Sequence, residues 1–402
     1  MTISNKKELL TLLKGATFLA SGGGGPFSFA KSIVDSYFKD DDSFKIKIQN
    51  VDKIDNTQWS VIAAGMAQPS AGIKLTPQAI IEPTVNAVKS MEQLISNNYF
   101  TNERFKNFTK FDLLSPGEVG AMNVTIPFIS AYLLNKDLDL VDGDPSGRSV
   151  PTIDLGLFGV NQPVMPNMAT SQGDEDYQFT ILSLKNYSDL GKAYSNLIED
   201  GLVGIDTGLA MAPMNIETLK KDNIVKGTLT DAFSIGQIFE ENITSKQRIS
   251  KIGNYLKTKA QTKRNFKVIC KGTVTDYSTK TVDSTDLGYI TIKTDDEKGD
   301  YNILIQNENI IGQFENSISV DVTGPDSICY ISTKDGVLED NDILENSIIS
   351  QKFENGEKVE LYVVAIEAAS IIKNNKKLMK QWNQAYKTSR YYGPYNSKIW
   401  DK

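Results

Sequence analysis

The sequence contains no histidine among its 402 residues. This absence excludes Ser-His-Asp and Cys-His nucleophile activation, zinc sites with histidine ligands, and proton transfer by an imidazole. If the protein is an enzyme, its proton transfers must therefore use carboxylates, hydroxyls, lysines, backbone amides or a cofactor.

Cysteine and long apolar runs are also scarce. Cys270 and Cys329 are too few for a disulfide framework or a four-ligand metal site, and both lie beside β-branched apolar residues. We expect two buried free thiols, which fits a reducing cytoplasm. No apolar run approaches the roughly 20 residues of a membrane span. Lys14 interrupts the apolar stretch that follows Lys6 and Lys7, so we expect neither a signal peptide nor a membrane partner.

Basic residues do not outnumber acidic ones in this sequence. The 43 Lys and Arg residues against 50 Asp and Glu residues give a formal charge of −7. A nucleic-acid binder needs a basic face, so we expect no nucleic-acid partner and instead a small-molecule substrate.

Two regions of different pattern follow each other along the chain. Apolar strand-like segments alternate with helical segments up to about residue 263, which predicts an α/β domain with a mixed, partly parallel sheet. From Phe266 onward, short strand-like segments separated by turn residues predict a smaller β-rich domain. We therefore assign residues 1–263 to the first domain and 264–402, with a polar tail from Lys373, to the second.

Particular elements carry this assignment. Apolar spacing predicts a helix over residues 6–14 that stops at Gly15, followed by a short buried strand over Thr17–Ala20. In the second region the pattern predicts strands that include residues 317–322 and 327–332.

Four consecutive glycines, Gly22, Gly23, Gly24 and Gly25, come between this predicted strand and a helix that begins near Pro26. Such a loop lets backbone amides approach a ligand closely and points them, with the helix dipole, at negative charge. The residues that follow fit neither a phosphate loop nor a dinucleotide fingerprint. A tight turn without a ligand is the alternative to a substrate-binding loop.

The segment Asp142-Gly143-Asp144-Pro145-Ser146-Gly147-Arg148 follows a predicted strand, where open α/β sheets bind their ligands. Two carboxylates so close can divide general-acid and general-base roles or bind a hard cation. Alternatively, the aspartates cap local amides in a solvated turn, and Arg148 is their counter-ion.

Isolated polar residues after other predicted strands are further candidates. Glu118 and Asn123 lie near the start of a helix, and a glutamate there also complements the helix dipole. Asn307 and Glu308 follow a strand of the second region, where they either form a turn or face a cleft between the domains.

The joint order of these motifs resembles the DUF917 family, the S-methyl-thiohydantoin desulfurase-like, hydantoinase-related group. The motifs in order are Gly22–Gly25, Gly65-Met66, Glu118-x-Gly120-x-x-Asn123, Asp142-x-Asp144-x-x-Gly147-Arg148, Gly227-Thr228-Leu229, Gln306-Asn307-Glu308-Asn309 and Pro325-Asp326-x-Ile328-Cys329. The resemblance runs from about Leu9 to Tyr395 and implies the same two-domain division. In the aspartate segment this chain differs from the usual family pattern, most notably by Thr152 in place of an acid.

The resemblance implies a hydrolase acting on a small cyclic amide or amidine such as a hydantoin or S-methyl-thiohydantoin. We assign catalytic roles to Asp142 or Asp144 as general base, to Arg148 as stabiliser of negative charge, and to Glu118. The candidate substrate-binding residues are Gly22–Gly25, Gly65, Met66, Asn123, Asn307 and Glu308.

Alternatives to this scheme stay open. A second version uses a divalent cation, Mg²⁺, Ca²⁺ or Mn²⁺, held by Asp142, Asp144 and Glu118; otherwise no cofactor is implied. A competing hypothesis is a non-catalytic ligand-binding or accessory subunit of a hydantoinase-type system. The expected protein partners are a second copy of the chain or a hydantoinase-type partner chain.

Overall fold

A computed structural model of the chain describes residues 1–40, 42–66, 76–97, 103–134, 138–160, 168–172, 178–182, 184, 186–199, 207–282, 285–295, 297–396 and 398–401. Within these ranges the α-helices are α1 (Lys6–Leu19), α2 (Phe27–Tyr37), α3 (Gln78–Ser96), α4 (Ala121–Leu134), α5 (Tyr187–Glu199), α6 (Ile216–Lys220), α7 (Thr228–Phe239), α8 (Ser245–Thr258), α9 (Asn346–Glu354), α10 (Ser370–Lys373) and α11 (Lys376–Ala385). None of the described helices is long and apolar enough to cross a membrane.

The strands form two separate sheets. The first contains β1 (Thr2–Asn5), β2 (Ser43–Asn50), β3 (Trp59–Met66), β4 (Leu113–Ser115), β5 (Asp139–Asp144), β6 (Met168–Gln172), β7 (Gln178–Leu182), β8 (Thr207–Asn215) and β9 (Val225–Lys226). The second contains β10 (Phe266–Val282), β11 (Thr285–Thr294), β12 (Tyr301–Gln306), β13 (Glu308–Phe314), β14 (Val322–Thr323), β15 (Ser327–Ser332) and β16 (Glu360–Ile366).

The first sheet is mixed, in the order β1-β2-β5-β4-β3-β8-β6-β7, with β9 paired to β5. Its central strands β2, β5, β4 and β3 run parallel, whereas the remaining neighbours are antiparallel. All residues of β4 and β5 are buried, as expected for parallel strands covered on both faces. This confirms the predicted α/β first domain. β4 and β5 are parallel neighbours, so their carboxyl ends lie at the same edge of the sheet. Asp144 and the loop after Ser115 are therefore next to each other.

The prediction for the start of the chain was wrong. Gly15 does not end a helix, and residues 17–19 continue α1 instead of forming a strand. A Cβ on Gly15 would lie 1.8 Å from the carbonyl oxygen of Ala232 in α7, and one on Gly236 equally close to the carbonyl oxygen of Thr11. These glycines therefore let two buried helices approach backbone to backbone. The apolar run over Thr17–Leu19 is core-facing helix, and its length alone could not distinguish it from a strand.

The second sheet is antiparallel throughout, in the order β14-β13-β12-β11-β10-β16-β15. This confirms the β-rich second domain, including the strand predicted over 327–332. The strand predicted over 317–322 was wrong, because only Val322–Thr323 pair, while β13 over Glu308–Phe314 was missed. β13 begins with the buried polar residues Glu308 and Asn309, which hide the alternation by which a strand is recognised.

The polar tail forms α10 and α11 and packs against both domains. Leu378, Trp382 and Tyr386 are fully buried in one apolar cluster with Val225 of the first sheet and Ile310 of the second. The first sheet's last strand along the chain, β9, ends at Lys226, and the second sheet's first strand begins at Phe266. The boundary near residue 263 lies between them and stays a prediction.

Candidate active site

The Gly22–Gly25 loop connects α1 to α2 and lies between the two domains. Gly22 has a φ of +85°, and a Cβ there would lie 2.5 Å from Asn309 Nδ2 and 2.7 Å from Asn346 Oδ1. A Cβ on Gly23 would lie 2.5 Å from Glu308 Oε1. Only glycine therefore allows the loop to approach these three side chains of the second domain.

Backbone hydrogen bonds fix the loop to both domains. Asn309 N donates to the carbonyl oxygen of Ser21, and Asn346 N donates to that of Gly22. On the other side, Met122 N donates to the carbonyl oxygen of Gly24. Within the described part of the chain, the Gly24 and Gly25 N–H groups have no acceptor. They precede the first turn of α2, where the helix dipole favours negative charge.

The first domain supplies the opposite wall of the loop. A Cβ on Gly24 would lie 2.7 Å both from Gly120 Cα and from Ser149 Oγ. Glu118 stands just before Gly120, in the turn between β4 and α4, and is half-buried. We call the Gly22–Gly25 loop with Glu118, Ser149, Glu308, Asn309 and Asn346 the interdomain centre.

Glu118 is held by two N–H donors. Asn123 Nδ2 donates to its Oε1 over 2.7 Å, and Val150 N donates to its Oε2 over 2.7 Å. Burial raises the pKa of Glu118 to about 7, while these two donors oppose the rise. The side chain is therefore a carboxyl group able to exchange a proton near neutral pH.

Glu308 has a different environment. It is 5% exposed, and its Oε2 has no hydrogen-bond partner in the described structure. Burial raises its pKa well above the ordinary value, the charge of Glu118 raises it further, and Arg148 opposes both. Two carboxyl groups in electrostatic contact, one buried and one half-buried, cannot both ionise cheaply, so Glu308 keeps its proton while Glu118, with its N–H donors, carries the charge.

Arg148 ties the domains together. It is 1% exposed, and its guanidinium donates to the carbonyl oxygens of Ser149, Asp326 and Asn309 over 2.7, 2.6 and 2.9 Å. The group also lies over the ring of Trp382, with 5.5 Å between Cζ and the ring centroid. All three donor nitrogens are therefore engaged by protein, and Arg148 holds the strand that carries Glu308 and Asn309.

Asp142 serves the fold of the first domain. Its Oδ1 accepts from Thr230 N over 3.0 Å, and its Oδ2 accepts from the Thr230 hydroxyl over 2.6 Å. Thr230 lies in the first turn of α7, whose N-cap residue, Gly227, has no side chain with which to cap the helix. Asp142 thus supplies from β5 the cap that α7 lacks. Burial raises its pKa, and these bonds oppose the rise.

Asp144 is likewise directed into its own loop. Its Oδ1 accepts from Ser146 N, the Ser146 hydroxyl and Gly147 N. Its Oδ2 has no hydrogen-bond partner among the described residues. Burial raises the Asp144 pKa, and the nearby Thr228 hydroxyl opposes this rise although it is not in hydrogen-bonding geometry. The negative charge of Asp144 also raises the pKa of Glu118.

The remaining predicted residues divide between the interdomain centre and the fold. Asn123 contacts Glu118, as described. Asn307, with a φ of +58°, accepts from Asp286 N and donates to the carbonyl oxygen of Pro151, so its amide is used in the turn between β12 and β13. A Cβ on Gly65 would meet Ile80 and Ile126, so this glycine packs against α3 and α4. Met66 pairs with Thr207, and its side chain lies outside the described part.

Sequence reasoning missed three side chains of this region. Asn309 and Ser149 were next to selected residues, and their burial as polar groups has no sequence signal of its own. Asn346 begins α9, a helix the sequence analysis did not predict; its N-cap is Glu345, which is not one of the usual capping residues but accepts from Ser347 N and Ile348 N.

The predicted metal ligands do not gather around one point. Asp142 faces Thr230, Asp144 faces its own loop, and Glu118 is held by Asn123 and Val150. Among the described residues no group of three or more Cys, Asp or Glu side chains is arranged to hold a metal ion. We therefore derive no step through a cation. Both cysteines are buried free thiols, as predicted.

A shallow groove of about 200 Å³ opens beside the interdomain centre. It is lined by Phe27 and Lys31 of α2 and by Asp340 and Ile348 of the second domain. Phe27 follows Gly25 by two residues and Ile348 follows Asn346 by two, but among the described residues that line the groove none belongs to the interdomain centre.

Comparisons with known proteins agree with this architecture. A family model described as the S-Me-THD-like N-terminal domain matches residues 7–180, and one described as the S-Me-THD-like C-terminal domain matches residues 201–380. The crystal structure of a protein from Chromobacterium violaceum superposes with a TM-score of 0.75 at 19% identity, covering 98% of this chain and 99% of that one. At this identity the likeness shows a shared fold. The comparison with curated proteins found no match.

Proposed function

This chain belongs to the S-Me-THD-like family, and from that membership and the chemistry of the interdomain centre we propose that it is a hydrolase of cyclic amides or amidines. Membership of the family indicates an enzyme activity related to hydantoins. The finer proposal is that the substrate is an S-methyl-thiohydantoin, and that water replaces its S-methyl group.

The observation that carries the proposal is the pair of Glu118 and Glu308. One carboxyl group comes from each domain, burial raises the pKa of both, and the glycine loop lies against Glu308. Neighbouring carboxyl groups with different hydrogen-bond environments divide into a proton acceptor and a proton donor. We therefore move the general-base role from Asp142 and Asp144 to Glu118, and assign the general acid to Glu308.

In the proposed reaction, the Glu118 carboxylate accepts a proton from water as its oxygen bonds to the ring carbon that carries sulfur. The second oxygen-bound proton of the tetrahedral intermediate then passes through the medium to the ring nitrogen that gained negative charge when the C=N bond opened, as the carbon–sulfur bond breaks. Glu308 donates its proton to the departing sulfur, so the products are the hydantoin and methanethiol. Transfer of the proton from Glu118 to Glu308 restores the starting state.

Negative charge that develops on the ring needs donors that are already in place. The N–H groups of Gly24 and Gly25 are without acceptors in the described structure and precede α2, so they are the donors we assign to this charge. Arg148, whose nitrogens are engaged by carbonyl oxygens, acts by holding Asn309 and, through it, the strand of Glu308. It is a positioning residue in this scheme.

The test is methanethiol release from an S-methyl-thiohydantoin, followed with a thiol reagent. We expect Glu118→Gln and Glu308→Gln each to lower kcat by roughly 10²- to 10⁴-fold, the usual contribution of general acid–base catalysis. For the wild type, the rate should rise with pH through about 7 as Glu118 ionises, and Glu118→Gln should remove that limb. Asp231→Asn is the matched control, since Asp231 is a buried carboxyl group paired with Arg264.

Two outcomes contradict the proposal. If both glutamine variants turn over like the wild type, the carboxyl pair is not the acid and base. If the wild type binds the compound by calorimetry but releases no methanethiol, the chain is a ligand-binding or accessory subunit instead of the enzyme.

A further inference from the structure

Within the described part of the chain, three buried polar atoms of the second domain lack hydrogen-bond partners at the interdomain centre. They are Glu308 Oε2, Asn309 Oδ1 and Asn346 Nδ2, on residues that are 5%, 0% and 6% exposed. Leaving a buried polar atom unpaired destabilises the folded state, so three around one loop call for an explanation.

The three side chains converge on two adjacent residues of the glycine loop. Asn309 and Asn346 both reach within 2.7 Å of the position that a Cβ on Gly22 would take, and Glu308 reaches within 2.5 Å of the corresponding position on Gly23. The atoms closest to those positions are Asn309 Nδ2, Asn346 Oδ1 and Glu308 Oε1, so the unpaired atoms are the other ends of the same amide and carboxyl groups. The three groups therefore meet at one locus between the domains.

The hydrogen bonds of the two amides leave one atom of each unpaired. Asn309 Nδ2 donates to the carbonyl oxygen of Ile328 over 2.9 Å, which leaves Oδ1 as a free acceptor. Asn346 Oδ1 accepts from the Tyr330 hydroxyl over 3.1 Å, which leaves Nδ2 as a free donor. Glu308, which burial keeps protonated, is a second donor. The locus thus offers two donors and one acceptor.

We propose that these three side chains read the imide edge of a five-membered cyclic ureide, the run of carbonyl oxygen, ring N–H and neighbouring carbon that hydantoins present. This inference rests on the proposed function and names the substrate contacts for it. The ring carbonyl oxygen accepts from Asn346 Nδ2, and the ring N3–H donates to Asn309 Oδ1. The third position of the edge is C2, the carbon at which the proposed reaction occurs, and it then faces Glu308.

The ligand itself provides a test that needs no variant. Hydantoin, 1-methylhydantoin and 3-methylhydantoin are titrated into the wild-type protein by calorimetry. Methylation of N3 removes the N–H that Asn309 accepts and leaves its buried oxygen unpaired, so we expect binding to weaken at least tenfold. Methylation of N1, which lies outside this edge, should change binding less than threefold.

Asn309→Leu extends the test to the protein. Leucine is close to asparagine in size and accepts no hydrogen bond, so this variant should bind hydantoin and 3-methylhydantoin about equally. Asn396→Leu is the matched control, because the Asn396 amide donates to the carbonyl oxygens of Val320 and Asp321 away from the interdomain centre. That control should keep the tenfold preference. If Asn309→Leu does not fold, the three ligands on the wild type decide alone.

The outcomes separate this inference from the proposed function. If the wild type releases methanethiol from its substrate but binds 3-methylhydantoin as tightly as hydantoin, the inference is overturned and the proposed function stands. If the protein binds 3-methylhydantoin more weakly than hydantoin but releases no methanethiol, the proposed imide contacts are supported and the proposed hydrolase function is contradicted. Failure of hydantoin to bind overturns the imide contacts.

Discussion

The segment from Asp142 to Arg148 and the interdomain centre contain the same kinds of residues but use them differently. In the segment, both oxygens of Asp142 accept from Thr230 and Arg148 donates to three carbonyl oxygens, whereas Asp144 has a single unpaired oxygen, Oδ2, among the described residues. In the interdomain centre, Glu308, Asn309 and Asn346 each keep one buried atom without a partner in the described ranges.

This difference separates groups that hold the fold from groups available to a ligand. Hydrogen bonds within the protein repay the desolvation of a buried polar group, whereas an unpaired group carries that cost until something binds. Proximity of acids to a strand end is therefore weaker evidence for a ligand contact than several unpaired buried groups that meet at one place. The following predictions test whether the two regions differ as described.

Loss of the Arg148 side chain should have the largest effect on stability. Arg148→Ala removes three charge-assisted hydrogen bonds, and the buried carbonyl oxygens of Asp326 and Asn309 lose the donor that Arg148 supplies. We therefore expect a loss of about 3–5 kcal/mol in the free energy of unfolding. Urea denaturation measures it. The exposed Arg390→Ala is the control and should change stability by less than about 0.5 kcal/mol. A loss for Arg148→Ala no larger than that of the control would mean that Arg148 does not join the domains.

Glu308→Gln should change how stability depends on pH. The pKa of Glu308 is higher in the folded state than in the unfolded state, where it has its ordinary value of 4.5. The contribution of Glu308 to the free energy of unfolding is therefore fully present below pH 4.5 and is lost as the pH rises toward the folded-state pKa. The slope attributable to one such group is at most about 1.4 kcal/mol per pH unit. Glutamine does not titrate, so the variant should lose this decline above pH 4.5. Unfolding free energies at pH 5, 6, 7 and 8 measure it, and equal slopes in both proteins would contradict the assignment.

A methyl group at Gly23 tests the contact between the loop and Glu308. A Cβ there would lie 2.6 Å from Glu308 Cγ as well as near its carboxyl group, so Gly23→Ala must displace the side chain. We expect a loss of about 1–3 kcal/mol in stability, typical of overpacking, together with reduced methanethiol release. Gly117→Ala is matched, because its Cβ would meet only Ile62 and Met211 at 3.4 Å or more. If Gly117→Ala is equally damaging, the effect does not depend on Glu308.

Local patterns in the sequence were enough to predict the two-domain division. Alternating strands and helices indicated the α/β sheet, and turn-separated strands indicated the β-rich domain, because each pattern reflects which faces of an element are buried. The continuation of α1 through Thr17–Leu19 was not predictable in this way, since it depends on α7 packing against Gly15, more than 200 residues away.

The candidate site was predictable in part. Gly22–Gly25, Glu118 and Glu308 were selected from the sequence, and the structure brings them together. The partners of Asp142 and Asp144 could not be foreseen, because the need of α7 for a cap arises only when β5 lies beside its first turn. Asn346 was missed because no periodic pattern in the sequence marked α9. The partner of its amide oxygen, the Tyr330 hydroxyl, lies on a different element and could not be assigned from the sequence.

Asp142→Asn should have the smallest effect and gives the sharpest contrast with Glu308. The amide still accepts from Thr230 N but loses the negative charge at the start of α7, so we expect a loss of about 1 kcal/mol in stability. A double-mutant cycle with Thr230→Ala should show coupling between the two residues, because their side chains bond directly over 2.6 Å. Methanethiol release per folded molecule should stay within about twofold of the wild type, since a capping carboxylate takes no part in proton transfer. A loss of release as large as that of Glu308→Gln, without coupling to Thr230, would return the general-base role to the aspartate segment.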